Sequence, residues 1–328
     1  MIDRVRSKGT VGRLARARGL LKLGGPKAVL LKLGDKLTGS GHSEGYLYSL
    51  QKSTDPKDYR KLLGNFYMFR TGEKLDLDNP RTFNEKIQWL KLYDTTPEKT
   101  RLADKYLVRE WVKEKIGEEY LVPLLGAWDR FDDIDFNALP NQFALKCNHG
   151  SGMNIVVKDK GKMDIARAKA QFDAWMKTNF AFVNGLELQY RDIPRKIIAE
   201  KYMEQFDRGL TDYKIHVFHG EPKIIHVIGD RDLQKHTARE CFLTVAWEAE
   251  ELMYHTYDMY EEIPPKPEKL DEMLETARIL GKDFKYVRVD LYDLDGSIRF
   301  GEMTFTPASG FGKWRSSRQL SVDSWITL

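Results

Sequence analysis

From Asp58 to Ile116 apolar residues recur every three or four positions, the period of an amphipathic helix. In "TFNEKIQWLKLYD" (Thr82–Asp94), Phe83, Ile87, Leu90 and Tyr93 share one face. Thr82 fits the N-cap, with Glu85 three residues on as its capping partner. "TPEKTRLADKYLVREWVKEKIG" (Thr96–Gly117) predicts a second amphipathic helix closed by Gly117. From Tyr120 the period shortens. Strands are predicted in "YLVPLLGAWD", "QFALKCN", "MNIVVKD", "KIIAEKYM", "YKIHVFHG", "EPKIIHVIGD" and "YVRVDLYD". Helices interrupt them at "DIARAKAQFDAWMKTNFAF" and "PEKLDEMLETARILGKDF". There is no internal repeat and no low-complexity tract. The expected fold is α+β, a body of mostly antiparallel strands behind a helical N-terminal region.

The 328 residues suffice for a sizeable core in two or three lobes. Cys147 and Cys241 offer neither a disulfide framework nor a Cys-based zinc site, so a reducing cytosol is the expected compartment. No apolar run approaches the roughly 20 residues of a membrane-spanning helix. Charge is uneven. Residues 1–36 carry ten Lys or Arg against Asp3 and Asp35, a net +8, while the whole chain carries +4 and the remainder therefore −4. A basic start interleaved with Leu, Ala and Val suits an anionic membrane surface, at the inner face if the protein is cytoplasmic. It equally suits a polyanionic partner, an organellar transit peptide or a solvated helix packed on the body. "LTGSGHSEG" (Leu37–Gly45) reads as the linker that follows. No nucleic-acid partner is expected, and the oligomeric state is not legible.

Three stretches carry chemistry. In "FALKCNHGSGMNIVV" a strand bearing Lys146 runs into the turn Asn148–Gly152, and another strand follows. Two glycines let backbone N–H groups approach an anion, and Lys146 supplies a cation for phosphate. The alternative is an ordinary hairpin with a surface lysine. In "RKIIAEKYMEQFDRGLTDYKIHVF" a strand ends at Glu200–Met203, and Asp212 and Lys214 follow on the next. A nucleotide base could bind at such a strand exit, with an acid downstream for ribose hydroxyls. An edge strand with alternating polar residues is the plainer alternative. The third stretch is "VRVDLYDLDGSIRFGEMTFTPASG". A three-residue loop Asp295–Ser297 sets Asp290 opposite Glu302 and Arg288 opposite Thr304 on one face, leaving Val287, Val289, Leu291, Met303 and Phe305 for the core. Two facing carboxylates want a cation between them. Mg²⁺, which takes one or two carboxylates plus substrate phosphates, suits them. A closed Arg288–Asp290–Glu302 ion cluster is the other reading.

In order, these are the parts of an ATP·Mg²⁺ site. "ALKCNHGSGMN", "DYKIHVFHGEP" and "DLYDLDGSIRFGEMTFTPASGFGKW" resemble the ATP-grasp superfamily, and within it the TupA-like branch named after teichuronopeptide biosynthesis. The resemblance runs roughly from Phe83 to the C-terminus and implies two α+β lobes clasping ATP. The expected organisation is a basic extension over 1–45, outside the resemblance, then a helical region over 46–118, a small lobe over 119–200 and a large lobe over 201–328. The resemblance implies Lys105, in "ADKY", and Lys146 as the two nucleotide-binding lysines. His149, Gly150, Ser151, Gly152 and Met153 would form the mobile phosphate loop. Glu200, Tyr202 and Met203 would form the adenine hinge, with Asp212 as ribose-binding acid beside Lys214. Asp290 and Glu302 would be magnesium ligands, and Arg288 would steady the transition state. The chain departs at Glu302-Met303-Thr304, where the commoner pattern is Glu-x-Asn; a hydroxyl is a shorter, weaker ligand than an amide carbonyl.

The function implied is an ATP-dependent carboxylate–amine ligase working through an acyl phosphate. It would join an amine or amino acid to a uronic-acid carboxylate of a surface polysaccharide or its precursor. Arg231 in "DRDLQKH", together with Thr306, Ser309 and Gly310 in "TPASGFGKW", would contact that acceptor. Alternatives are a kinase-like phosphotransferase on a glycan precursor, and a non-catalytic glycan-associated protein with a degenerate ATP site. A glycosyltransferase would need "DLD" (Asp293–Asp295) as its metal motif, and that motif is better explained as turn chemistry.

Overall fold

A computed structural model describes residues 2–39, 41–203, 210–232, 237–252, 257–312, 314 and 322–328, without the side chains of 2–11 and 232. The chain forms two compact units. One comprises Met1–Thr96, Asn179–Arg191 and Ala308–Lys313, the other Pro97–Thr178, Asp192–Pro307 and Trp314–Leu328.

The first unit is helical. α1 (Ile2–Thr38) is two helices joined at a kink, where Gly24 and Gly25 leave helical geometry and Pro26 follows. Proline tolerates the first turn of the second half because its missing N–H would have no partner there. α2 (His42–Ser53) starts on Asp35, whose carboxylate accepts from His42 N and Ser43 N, both at 2.9 Å. α3 (Tyr59–Thr71) lies close against α1. A Cβ on Gly19 would stand 2.4 Å from Phe69 N, so only glycine permits this approach. α4 (Phe83–Tyr93) carries the expected capping box between Thr82 and Glu85.

The second unit opens with a correction. The single helix expected over 96–117 is two, α5 (Pro97–Ala103) and α6 (Val108–Ile116). Buried Asp104 causes the break. Its Oδ1 accepts from Tyr106 N at 2.7 Å, Leu107 N at 3.2 Å and Asn148 Nδ2 at 2.8 Å. A side chain that satisfies backbone donors this way competes with the helix ladder. The turn leaves Lys105 outside both helices.

Two sheets follow. β1 (Leu124–Trp128), β2 (Phe143–Cys147), β3 (Asn154–Val157) and β4 (Ile197–Lys201) form an antiparallel sheet in the order β1-β4-β2-β3, with α7 (Ile165–Lys177) between β3 and β4 in sequence. The second sheet holds β5 (Asp212–Phe218), β6 (Glu221–Asp232), β7 (Thr237–Thr244), β8 (Asp258–Met259), β9 (Tyr286–Leu294) and β10 (Ser297–Thr304). Its order is β10-β9-β5-β6-β7-β8, antiparallel except at β7–β8. α8 (Leu270–Gly281) packs on one face, and α9 (Val322–Trp325) is a single turn. The core under α8 includes Val217, Val287, Val289, Leu291, Met273, Ala277 and Leu280, all at most 1% exposed. The chain is thus α+β, with a helical N-terminal region, as its periodicity predicts.

The β9–β10 hairpin differs from expectation in its turn. Asp295 and Gly296 form a two-residue loop with φ of 53° and 82°, and Ser297 pairs with Leu294. Asp-Gly suits this turn because both positions need positive φ. The register then shifts by one at Gly301, a bulge between Phe300 and Glu302. Beyond the bulge Glu302 faces Asp290 and Thr304 faces Arg288, the pairing expected.

Both cysteines are free and buried, and burial pushes each thiol up to about 12. Among the described residues no helix is long and apolar enough to cross a membrane.

Candidate active site

Three strands of the larger sheet set charged residues in rows. Glu302, Asp290 and Lys214 lie side by side across β10, β9 and β5, and the neighbouring row is Thr304, Arg288 and His216. Arg288 Nε and Nη2 donate to the two oxygens of Asp290 at 2.6 and 2.8 Å, and Lys214 Nζ donates to Asp290 Oδ2 at 2.5 Å. Arg288 Nη2 also reaches Glu302 Oε1 at 3.3 Å and Thr304 Oγ1 at 3.1 Å; Thr304 Oγ1 donates to Glu302 Oε1 at 2.9 Å. Burial opposes ionisation of Asp290, but Arg288 and Lys214 outweigh it and hold the carboxyl below its usual range. Burial likewise opposes the Arg288 charge, yet Asp290 and Glu302 raise its pKa. The facing carboxylates are therefore met by cations of the protein itself.

The smaller sheet supplies a second cluster. Lys146 on β2 faces Ile198 on β4, and Glu200 lies two residues along on the same face. Lys146 Nζ donates to Glu200 Oε2 at 2.6 Å, and Arg109 of α6 approaches Glu200 Oε1 at 3.3 Å. Glu200 is thus paired with both Lys146 and Arg109 at the end of β4.

Lys105 lies between the glycine turn and the hairpin. Its Nζ donates to Gly150 O in the glycine turn at 2.7 Å and lies 3.4 Å from Glu302 Oε2. Burial raises the cost of the Glu302 charge, and Lys105 is the chief group lowering its pKa again. Lys105, Arg109, Lys146, Lys214, Arg231 and Arg288 stand against Glu200, Asp212, Asp290 and Glu302, a net charge of +2. Such a surplus attracts a polyanion.

The other expected residues divide. Tyr202, Met203, Val122, Leu294 and Arg299 line a cavity of about 320 Å³ where β4 ends. Arg231 bonds Asp212 and stacks over Tyr257 at 5.8 Å, so both members of that pair are engaged with each other. Ser151 and Gly152 are exposed at the turn, with Gly152 at φ 72°. Met153 is buried and its carbonyl accepts from Cys147 N at 2.9 Å. His149 is buried, with Nε2 3.2 Å from Trp175 O near the end of α7 and Nδ1 3.3 Å from Asn148 Oδ1. Thr306 is buried after β10. Ser309 and Gly310 belong to the helical unit, where Ser309 O and Oγ each accept from Lys91 Nζ at 2.6 Å and Gly310 O from Gln88 Nε2 at 2.8 Å. The part of "DRDLQKH" from Leu233 to His236 lies outside the described residues.

Sequence reasoning missed His216, Arg109 and Arg299. His216 is fully buried, accepts or donates at Nδ1 with Tyr286 Oη at 2.9 Å, and has no partner at Nε2 among the described residues. Two-residue alternation from Lys214 would have placed it on this face. Arg109 carries no such signal, because any exposed helix face contains arginines.

Among the described residues no three His, Cys, Asp or Glu side chains could hold a metal by themselves. The donor set of Asp290, Glu302 and Thr304 nonetheless fits a hard divalent cation that takes its remaining ligands from phosphates. Glu302, at 29% side-chain exposure, is the accessible donor, and Asp290 at 2% is the enclosed one.

Comparison with solved structures finds distant likenesses. The D-alanine–D-alanine ligase of Bacillus anthracis is 16% identical, with 64% of this chain and 58% of that chain covered at a TM-score of 0.36. The corresponding ligase of Helicobacter pylori is 16% identical, with 69% and 63% covered at 0.39. The ATP-grasp ligase PsnB with its minimal precursor is 13% identical, with 66% and 55% covered at 0.37. The chain thus spans less than two thirds of the length of these ligases. No curated protein matches. A family model described as TupA-like ATPgrasp matches residues 85–325, which takes in both sheets and every charged residue of the two clusters, and the chain belongs to that family.

Proposed function

We propose that this protein is an ATP-dependent carboxylate–amine ligase. The observation that carries the reading is Lys105, whose ammonium touches both the glycine turn and Glu302, while Lys146–Glu200 and Lys214–Asp290 tie in the remaining stretch. Lys105, Lys146 and Arg288 would bind the phosphates of ATP, and the cavity beside Tyr202 and Met203 would take the base. Asp290 and Glu302, with Thr304 as the weaker third donor, would hold magnesium, which supplies charge neutralisation to the nucleotide when bound. The acceptor carboxylate attacks the γ-phosphorus, ADP leaves, and an amine then displaces phosphate from the acyl phosphate. Positioning and electrostatic stabilisation are what such a transfer asks of a protein. Arg288 and Lys146 would offset charge on the transferred group, and neither needs to act as nucleophile. The acceptor we propose is a uronic-acid carboxylate of a polysaccharide or its precursor, which rests on the TupA-like family membership.

The protein should release ADP and free phosphate from Mg·ATP and a uronate only when a suitable amine is present, with amide product by mass spectrometry. Phosphate retained on the sugar would select a kinase-like transfer instead. No nucleotide turnover across a panel of uronates and amines would count against the ligase.

The base cavity gives a second expectation. Leu294→Trp fills it from a half-buried position. ATP affinity should fall roughly tenfold or more, with a smaller loss of thermal stability because Leu294 also packs against the buried cluster of Val122, Met203 and Leu210. Unchanged ATP affinity in a calorimetric titration would place the base elsewhere.

A further inference from the structure

α1 buries one side and leaves leucines on the other. Leu20, Leu23 and Ala28 are buried, whereas Leu14, Leu21, Leu30, Leu33 and Leu37 are 48–87% exposed. In the half after the kink, Leu30, Leu33 and Leu37 fall at i, i+3 and i+7. At about 100° per residue they form one stripe, opposite Ala28, Leu31 and Asp35, with Lys27 about 60° to one side and Lys36 about 60° to the other. The half before the kink repeats the design. Leu14, Ala17 and Leu21 share the same spacing and are all exposed, with exposed Arg13 and Arg18 about 40° to either side. Packing on α2 and α3 uses the opposite face, so the helical unit does not explain the outward leucines.

We propose that the outer face of α1 docks on an anionic lipid bilayer. An apolar stripe with basic margins and low overall hydrophobicity is the pattern of a helix lying in the plane of a membrane interface. The leucines enter the acyl boundary and the cations meet the head groups. The face does not suit a second copy of itself, because an isologous contact would bring basic margins together. A free polyanionic glycan would satisfy the cations and leave the leucines wet. The inference goes beyond the ligase reading and needs no nucleotide.

The test is co-sedimentation of the full chain, without ATP, on vesicles of phosphatidylcholine alone or mixed with phosphatidylglycerol. Binding to the mixed vesicles should exceed binding to the neutral ones and weaken as salt is raised. The Leu30→Ser/Leu33→Ser/Leu37→Ser variant should bind roughly tenfold more weakly or less, with its circular dichroism and melting unchanged, since the replaced side chains face solvent. Absence of wild-type binding would overturn the proposal, as would undiminished binding of the triple variant. A wild-type dimer that the triple variant dissociates, without vesicle binding by either, would assign the face to self-association and overturn it equally. Lys27→Glu/Lys36→Glu gives an independent check, with loss of the preference for anionic lipid expected.

Discussion

Glu302→Gln should lower ATP turnover about 10²- to 10³-fold and leave the melting temperature within a few degrees of wild type. The side chain is 29% exposed, so the replacement keeps shape and packing. It removes the charge that Lys105 and Arg288 face at 3.4 and 3.3 Å, and with it the donor proposed for magnesium. The two readings of the hairpin part here. A purely structural ion cluster would lose stability and keep whatever activity exists, because breaking a buried pair leaves an uncompensated charge. A nucleotide site would lose turnover and keep its fold. The pH dependence has a definite sign. Glu302 titrates below the usual 4.5, chiefly because Lys105 overcomes the effect of burial. Its contribution is therefore present above pH 4.5 and is lost as pH falls through the lowered value. Steady-state turnover of both proteins, with a melting curve for each, decides the matter.

Lys91→Met should cost about 3–5 kcal/mol of stability, the largest loss expected from one substitution in the helical unit. Lys91 is 1% exposed on α4. Its ammonium donates to Gln88 Oε1 at 3.1 Å, Gly185 O at 2.8 Å, and Ser309 O and Oγ, and lies 4.6 Å from the Phe311 ring. One lysine thus ties α4 to two segments that return to this unit from far along the chain. Methionine keeps the volume but takes the ammonium donor from Gly185 O and leaves Ser309 O with only Gln88 Nε2 at 3.0 Å. Burial pushes the Lys91 pKa down to about 7 against an ordinary 10.5, with Glu187 pulling the other way. Between those values the unfolded chain binds more protons, so wild-type stability rises with pH from about 7 towards 10. It falls again as pH returns to 7, and the variant should lack this slope. Urea unfolding at pH 7 and 9.5 measures both effects. A variant as stable as wild type would show that the lysine contributes no net stabilisation.

How far the site could be read in advance follows from the range of the forces involved. The rows on β9 and β10 were legible because side chains alternate and a hairpin pairs its strands in order. The wrong loop length did no harm, since the bulge at Gly301 restores the register before Glu302. The break at Asp104 was not legible, because the capping carboxylate is itself held by Asn148, 44 residues away. β7 was missed because its alternation includes Glu240, which is buried against His226 across the sheet and reads in isolation as a surface acid. Ser309 and Gly310 follow the hairpin closely in sequence, which says nothing of the unit they join. After Pro307 the chain enters the helical unit, and its polar groups there serve Lys91 and Gln88. Lys91 gave no warning, since it occupies the polar side of an amphipathic pattern and is covered only by segments that arrive later in the chain.

The central claim is that Lys105, Lys146 and the β9–β10 hairpin together form a nucleotide site. Calorimetric titration of the protein with ATP, with and without magnesium, tests it most directly. The account predicts one site per chain, binding that strengthens with magnesium, and loss of binding in Lys146→Met with the fold intact. An isotherm without heat, or a Lys146→Met protein that binds Mg·ATP as the wild type does, would contradict it.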